Sequence, residues 1–386
     1  MKIKKYILMT ALVALLGMSW TSCKKDELGP TIFPDVDETI DPDSYTYQLD
    51  KWLKINFLDV YNLDFRYKMQ DVGTDMNYNL VPASYEKSVD LAVLSKYLWF
   101  DVYGKVVRPD FLKEYGPRII HLIGSPAYNP TSGTMILGLA EGGIKVSLYR
   151  VNTLDVTDFD QLNEFYFKTM HHEFGHILHQ TKAYPTTFAT LSNGHYDAAN
   201  WQDRNEGVTA SLGFTSNYGS SEVREDFAEV IANYITKTDE QWQQLLDRAS
   251  RGWQTDPKDP DEFSTAYFCY YYYPNNVVET DDESGLDNKV FCYESEVDIV
   301  LNEETGKLEK YHKRLKDKEG NRIKVYDVED KDGIDGKATI EKKVDIVRQW
   351  FRDAWDMDFD ALREEVQTRQ LNIPIDELRK QVYELK

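Results

Sequence analysis

His172-Glu173-Phe174-Gly175-His176 constrains the fold more than any other stretch of this 386-residue chain. Two histidines four residues apart lie on one face of a helix, about one turn apart, so their imidazoles can converge on a single ion. The pattern therefore commits the segment to a helix and demands a further ligand from elsewhere. Zinc takes imidazole nitrogen at about 2.0–2.1 Å, and a zinc site with an open position has three protein ligands. The carboxylate that follows the first histidine falls beside that position. There Glu173 can take a proton from an attacking water and pass it to a leaving amine. The plain alternative is a helix with two incidental histidines.

The third ligand is expected from Glu225-Asp226-Phe227-Ala228-Glu229, which begins 49 residues after His176. Val223, Phe227, Val230, Ile231 and Tyr234 recur at helical spacing and predict a helix over 221–236. Glu225 and Glu229 share one face of it. One carboxylate can bind zinc, and the other can accept the free ring N–H of a ligating histidine. Tyr218, seven residues before Glu225, is placed to donate to an oxyanion. His179 lies two turns beyond His172, about 10 Å along the axis, too far to share the ion. It belongs at the rim of the site or behind a ligand, and His171 points off to another side. The plain reading of both is a partly exposed helix histidine.

HEFGH, Tyr218-Gly219 and Glu225-Asp226-Phe227-Ala228-Glu229 together resemble the gluzincin arrangement, and specifically the catalytic domain of anthrax lethal factor, over residues 115–240. By that resemblance His172, His176 and Glu225 bind one Zn2+ per chain. Glu173 is the general base, Tyr218 assists catalysis, and Glu229 supports a ligand histidine. Asp226 departs from the toxin, which has an aromatic residue there. Over its whole length the chain resembles a lipoprotein family of substrate-import-associated zinc metallohydrolases, or zinc-binding metallopeptidases. The resemblance implies a link with outer-membrane nutrient-uptake components.

Residues 1–22 read as a signal peptide: Lys2, Lys4 and Lys5, then an apolar stretch from Tyr6 to Met18, then small Thr21 and Ser22. Cys23 follows, and the ending resembles a bacterial lipobox in which Cys23 is lipidated, although Trp20 stands where Leu is usual. Residues 23–44, with Pro30, Pro34, Pro42 and many acids, read as lipid anchor and flexible tether. Lys25-Asp26-Glu27 resembles a signal that sends lipoproteins to the cell surface. The expected location is therefore the outer membrane, facing outward. Removal of three lysines with the signal takes the net charge from −21 to −24. Such acidity argues against nucleic acid as a partner, because neutralising phosphates needs clustered Lys and Arg.

The expected fold class is α+β: a zincin-like metallopeptidase core with a small, mostly antiparallel sheet, two metal-bearing helices and extra N- and C-terminal helices. Residues 45–254 form the expected catalytic domain. Within it 45–100 read as mostly helical, 118–124 as a buried strand, 134–149 as a hairpin, and 160–181 as a helix capped by Asp158 or Asp160. Residues 255–337 hold 22 acidic and 12 basic residues and read as an acidic insertion or subdomain. Residues 338–386 return to helices that pack on the catalytic domain. Tyr270 to Tyr273 read as strand or core residues, with glycan stacking the alternative. Cys269 and Cys292 are either a bridge or two small buried apolar residues. The function expected is hydrolysis of peptide bonds in exported or external peptides or proteins. The rival is a non-catalytic surface binding lipoprotein of an uptake system with a structural or vestigial zinc site.

Overall fold

The computed structural model describes residues 40–69, 80–128, 135–136, 138–141, 144–253, 270–276, 289–328 and 334–385. The signal peptide, Cys23 with most of the tether, and Cys269 lie outside the described residues, and so does the pairing of Cys269 with Cys292. The chain divides into Met1–Tyr47 and Gln48–Lys386, and the elements below belong to the second unit. Among the described residues no helix is long and apolar enough to cross a membrane.

The fold is α+β. One four-stranded sheet is built from β1 (Asp64–Arg66), β2 (Ile119–Leu122), β5 (Gly138–Glu141) and β6 (Lys145–Leu148), in the order β1-β2-β6-β5. β1 and β2 pair in parallel, as do β2 and β6, and only β5 and β6 are antiparallel. The expected mostly antiparallel sheet is therefore corrected here to a mixed one. The cause is the connections: parallel neighbours need a crossover of a dozen residues or more, and residues 67–118 supply one between β1 and β2. β5 and β6 are separated by only three residues, and the short link turns the chain back. β1 also interrupts the expected helical stretch 45–100. Three residues are too few for their alternation to stand out. A two-stranded sheet pairs β3 (Ala127–Tyr128) with β4 (Met135–Ile136).

The helix that carries HEFGH starts where the acids predicted. Asp158 caps it, accepting from the Gln161 N–H at 2.9 Å, as short polar side chains do at helix starts. Helix Phe159–Leu162 runs through one π-helical turn, Asn163–Phe167, into helix Lys168–Thr181. Its apolar stripe of Met170, Phe174 and Leu178 is buried. Phe174 meets Trp99, Tyr103 and Phe111 edge-on, with ring centroids 5.1–6.1 Å apart, a favoured aromatic geometry. On another side Gly175 faces the second helix, Val223–Thr236. A Cβ there would meet Ile231 Cδ1 at 3.4 Å and the Ala228 Cα at 3.6 Å. Two small residues at the crossing let the two backbones approach closely.

Three C-terminal helices follow: Gly336–Trp355, Phe359–Gln370 and Ile375–Tyr383. Trp350 sets its ring edge-on against Phe227 at 5.1 Å, and Tyr234 lies against Phe359 at 4.8 Å. Asp226, on the second motif helix, is fully buried and meets the equally buried Lys343 Nζ at 2.6 Å. Lys343 also donates to the Gly213 carbonyl at 2.7 Å, and the Tyr196 hydroxyl donates to Asp226 Oδ2 at 2.8 Å. Burial pushes the Asp226 carboxyl up and the Lys343 ammonium down, and the charge of each opposes the shift of the other.

Within the acidic stretch 255–337 the described residues form a five-stranded antiparallel sheet. Its strands are β7 (Tyr270–Tyr272), β8 (Val290–Cys292), β9 (Val297–Asn302), β10 (Lys307–Lys316) and β11 (Arg322–Asp327), in the order β8-β7-β11-β10-β9. Tyr270, Cys292, Val297 and Val325 make a small apolar cluster of its own. Tyr270 and Tyr273 are buried, and Tyr271 stacks on Tyr326 at 5.6 Å. The tyrosines thus pack the sheet.

Removing one partner of a buried ion pair leaves an uncompensated charge, at about 3–5 kcal/mol. Lys343→Met is expected to lower unfolding stability by about that amount, measured by chemical denaturation. Asp226→Asn combined with Lys343→Met is expected to recover more than half of the loss.

Candidate metal centre

His172 and His176 project from the helix Lys168–Thr181 toward Glu225 in the first turn of Val223–Thr236. His172 Nε2 lies 3.1 Å from Glu225 Oε2 and 3.0 Å from His176 Nε2, and His176 Nε2 lies 3.0 Å from the same Glu225 oxygen. The three atoms form a nearly equilateral triangle. Ligands about 2.0–2.1 Å from a tetrahedral zinc are separated by about 3.3–3.4 Å, so the spacing fits such an ion. Two imidazoles and one carboxylate are also the donor set that zinc accepts with an open position. Among the described residues His172, His176 and Glu225 form the cluster close enough to hold a metal ion.

Both ligand histidines are held from behind. With Nε2 turned to the centre of the triangle, His172 Nδ1 carries the proton and donates to Glu229 Oε1 at 2.9 Å. The other oxygen of Glu229 is bound by Lys168 Nζ at 2.9 Å, Asn233 Nδ2 at 3.1 Å and the Ser216 hydroxyl. Burial opposes ionisation of Glu229, yet Lys168 and His172 outweigh it and hold its carboxyl well below the usual range. His176 Nδ1 lies 2.8 Å from His179 Nε2. His179 in turn packs against Tyr184 and Phe227, with centroids at 5.4 and 6.1 Å. Burial pushes the His179 imidazole down to about 4, with His176 adding in the same direction. A neutral His179 can therefore accept the His176 proton.

Without a metal the triangle is electrostatically loaded. Burial disfavours a charged His172, but the hydrogen bonds it donates to Glu225 and Glu229 overcome this and raise its pKa to about 10. Metal binding must displace that proton. Burial raises the Glu173 carboxyl above the ordinary glutamate range; His172 and His176 pull it down while Glu225 and Glu229 add to the rise. Tyr218 lies 38% exposed at the edge of the site. Its ring leans on His172 at 5.6 Å and meets Trp201 edge-on at 4.9 Å. Burial of the phenol and the charge of the neighbouring Glu225 both raise its pKa, so the hydroxyl keeps its proton at neutral pH.

The structure thus brings together His172, Glu173, His176, Tyr218, Glu225 and Glu229. His179 sits behind His176, one of the two places its spacing allowed. His171 departs from expectation: it is fully buried, 3.0 Å from the Tyr103 hydroxyl, and burial holds it neutral with a pKa near 3. The face opposite the metal is occupied by N-terminal helices, so a histidine pointing there is enclosed. Lys168, Ser216, Asn233 and Trp201 were not singled out from the sequence. Lys168 stands four residues before His172 and Asn233 four after Glu229, so helical spacing carried a signal for both. Ser216 lies in irregular chain and Trp201 opens a single 3-10 turn, Trp201–Asp203, and neither has a helical spacing to a site residue that would signal it.

No curated protein matches the chain. Among solved structures it resembles the crystal structure of a putative zinc-binding metallo-peptidase from Bacteroides caccae. The two are 31% identical, with a TM-score of 0.57 over 86% of this chain and 93% of the other. A family model described as "Putative zinc-binding metallo-peptidase" matches residues 43–360. That match covers most of the sequence and includes every residue of the triangle, and the chain belongs to this family.

Proposed function

We propose that the protein is a zinc-dependent peptidase with a zincin-like core and a gluzincin-type site. The observation that carries the reading is the triangle of His172, His176 and Glu225 with Glu173 beside it, since a site that merely binds metal needs no such base. When bound, zinc supplies Lewis acidity for a carbonyl oxygen and acidifies a water. Glu173 takes a proton from the attacking water as its oxygen bonds to the scissile carbonyl carbon. It then delivers that proton to the amide nitrogen as the C–N bond breaks. A carboxyl pushed upward by burial suits both halves of this exchange, because a base works best with a pKa closer to the working pH. Tyr218 donates its hydroxyl proton to the developing oxyanion as a hydrogen bond. Glu229 and His179 hold the two imidazoles in the tautomer that turns Nε2 toward the ion.

The wider reading is a lipid-anchored enzyme of the outer membrane that acts on exported or external peptides or proteins and serves an uptake system. It is supported by the signal-like 1–22, Cys23, the tether and the family resemblance.

Glu173→Gln is expected to retain one zinc per chain and lose about 10²–10⁴-fold in peptide cleavage, read by mass spectrometry on a broad peptide library. If the unaltered protein binds zinc but cleaves nothing and Glu173→Gln behaves identically, the enzymatic reading fails.

Loss of an outer partner of a ligand costs about 10–100-fold in metal affinity. His179→Ala should fall in that range when zinc is titrated against a competing chelator, and Glu225→Ala should lose more. Unchanged affinity in Glu225→Ala would remove it from the ligand set.

A further inference from the structure

A polar cavity of about 370 Å³ backs onto the metal centre, and none of His172, His176 or Glu225 lines it. Its wall includes Lys168, Ser216 and Asn233, the three groups that hold the outer oxygen of Glu229. The volume is at the lower end of that of small-molecule sites. Its charge is unlike that of the chain as a whole. Against a net −21 over the full sequence, three cations line this cavity, Lys168, Lys237 and Arg248, with one carboxylate, Glu206. Lys168 is paired with Glu229. Arg248 meets Glu206 at 2.9 Å, but both side chains are exposed, at 37% and 78%, and such pairs contribute little. Lys237 is half-buried; its backbone N–H donates to the Asn233 carbonyl and its carbonyl accepts from Gln367, but its ammonium has no hydrogen-bond or ion-pair partner among the described residues.

A partly desolvated ammonium beside a second one is unfavourable unless a negative charge joins them. Burial, with Lys168 and Arg248 adding to it, pushes the Lys237 ammonium down from its ordinary value; Glu229 and Glu206 oppose the shift without reversing it, and Glu229 is already engaged by Lys168 and Glu206 by Arg248. Arg248 can release Glu206 at small cost and offer its planar fork to an oxyanion. We propose that this cavity binds a small oxyanion, a carboxylate or phosphate group, held by Lys237 and Arg248. The site does not depend on the peptidase reading. It nevertheless lies against Lys168 and Ser216, which hold Glu229 and through it His172.

The test is calorimetric titration of inorganic phosphate into the full chain at constant ionic strength, with and without zinc. Saturable binding in both states is expected. Lys237→Gln should weaken it at least tenfold while leaving zinc affinity unchanged, because Lys237 touches no ligand. Glu206→Gln, which frees Arg248, should tighten it several-fold, an outcome that damage to the fold would not produce. Absence of saturable binding overturns the proposal. So does equal binding by Lys237→Gln, or binding seen only with zinc, which would place phosphate on the metal. None of these readouts involves cleavage, so their failure is separate from failure of the peptidase reading.

Discussion

The packing of Lys168–Thr181 against Val223–Thr236 is the contact on which the site rests. The first helix brings two imidazoles on one face, and the second answers with two carboxylates on one face. Neither set could meet the other if the backbones stood further apart. Gly175 opposite Ala228 permits that approach, and the aromatic packing of Phe174 on the other side presses the first helix into place. The mixed sheet and the N-terminal helices act as the wall behind it. The C-terminal helices close the second helix from its far side through Trp350 and Lys343.

Electrostatics then decide what the packed helices hold. Bare imidazoles and carboxylates at about 3 Å retain a proton on His172. A dication held by His172, His176 and Glu225 would take the place of that proton, at a site where the fold already holds these groups together. Glu229 is the hinge of this balance. One of its oxygens orients His172, and the other is held by Lys168, Ser216 and Asn233, so its negative charge is compensated whether or not a metal is bound.

Much of the site was legible in the sequence because it lies on helices, where fixed spacing turns residue number into direction. His172, Glu173, His176, Glu225 and Glu229 follow from i, i+4 reasoning, and Lys168 and Asn233 were open to the same reasoning. The residues in irregular chain were not legible in that way. Ser216 reaches Glu229 through the loop before Tyr218, and no periodicity reports where such a loop turns. The sheet shows a related limit. Its strands near residues 119–122 and 145–148 are visible as apolar runs, but nothing local shows that they pair with each other in parallel, or that β1, three residues long and set within a helical stretch, adds a second parallel pair. Asp226 was noted only as a departure from a resembling sequence. Its partner Lys343 stands 117 residues away, and nothing local links the two.

The second motif helix carries three acids within five residues, and each has a different counterpart: Glu225 the imidazole pair, Asp226 the buried Lys343, Glu229 the far nitrogen of His172. Successive residues of a helix turn by about 100°. Rotation by a single residue would swing all three carboxylates away from their cations and into Phe227, Val230 and Ile231 territory. The helix is therefore keyed like a three-toothed lock, with one angular setting in which every charge is answered. The buried Asp226–Lys343 pair, remote from the reacting groups, is the tooth that keeps the ligand carboxylate aimed before any ion arrives.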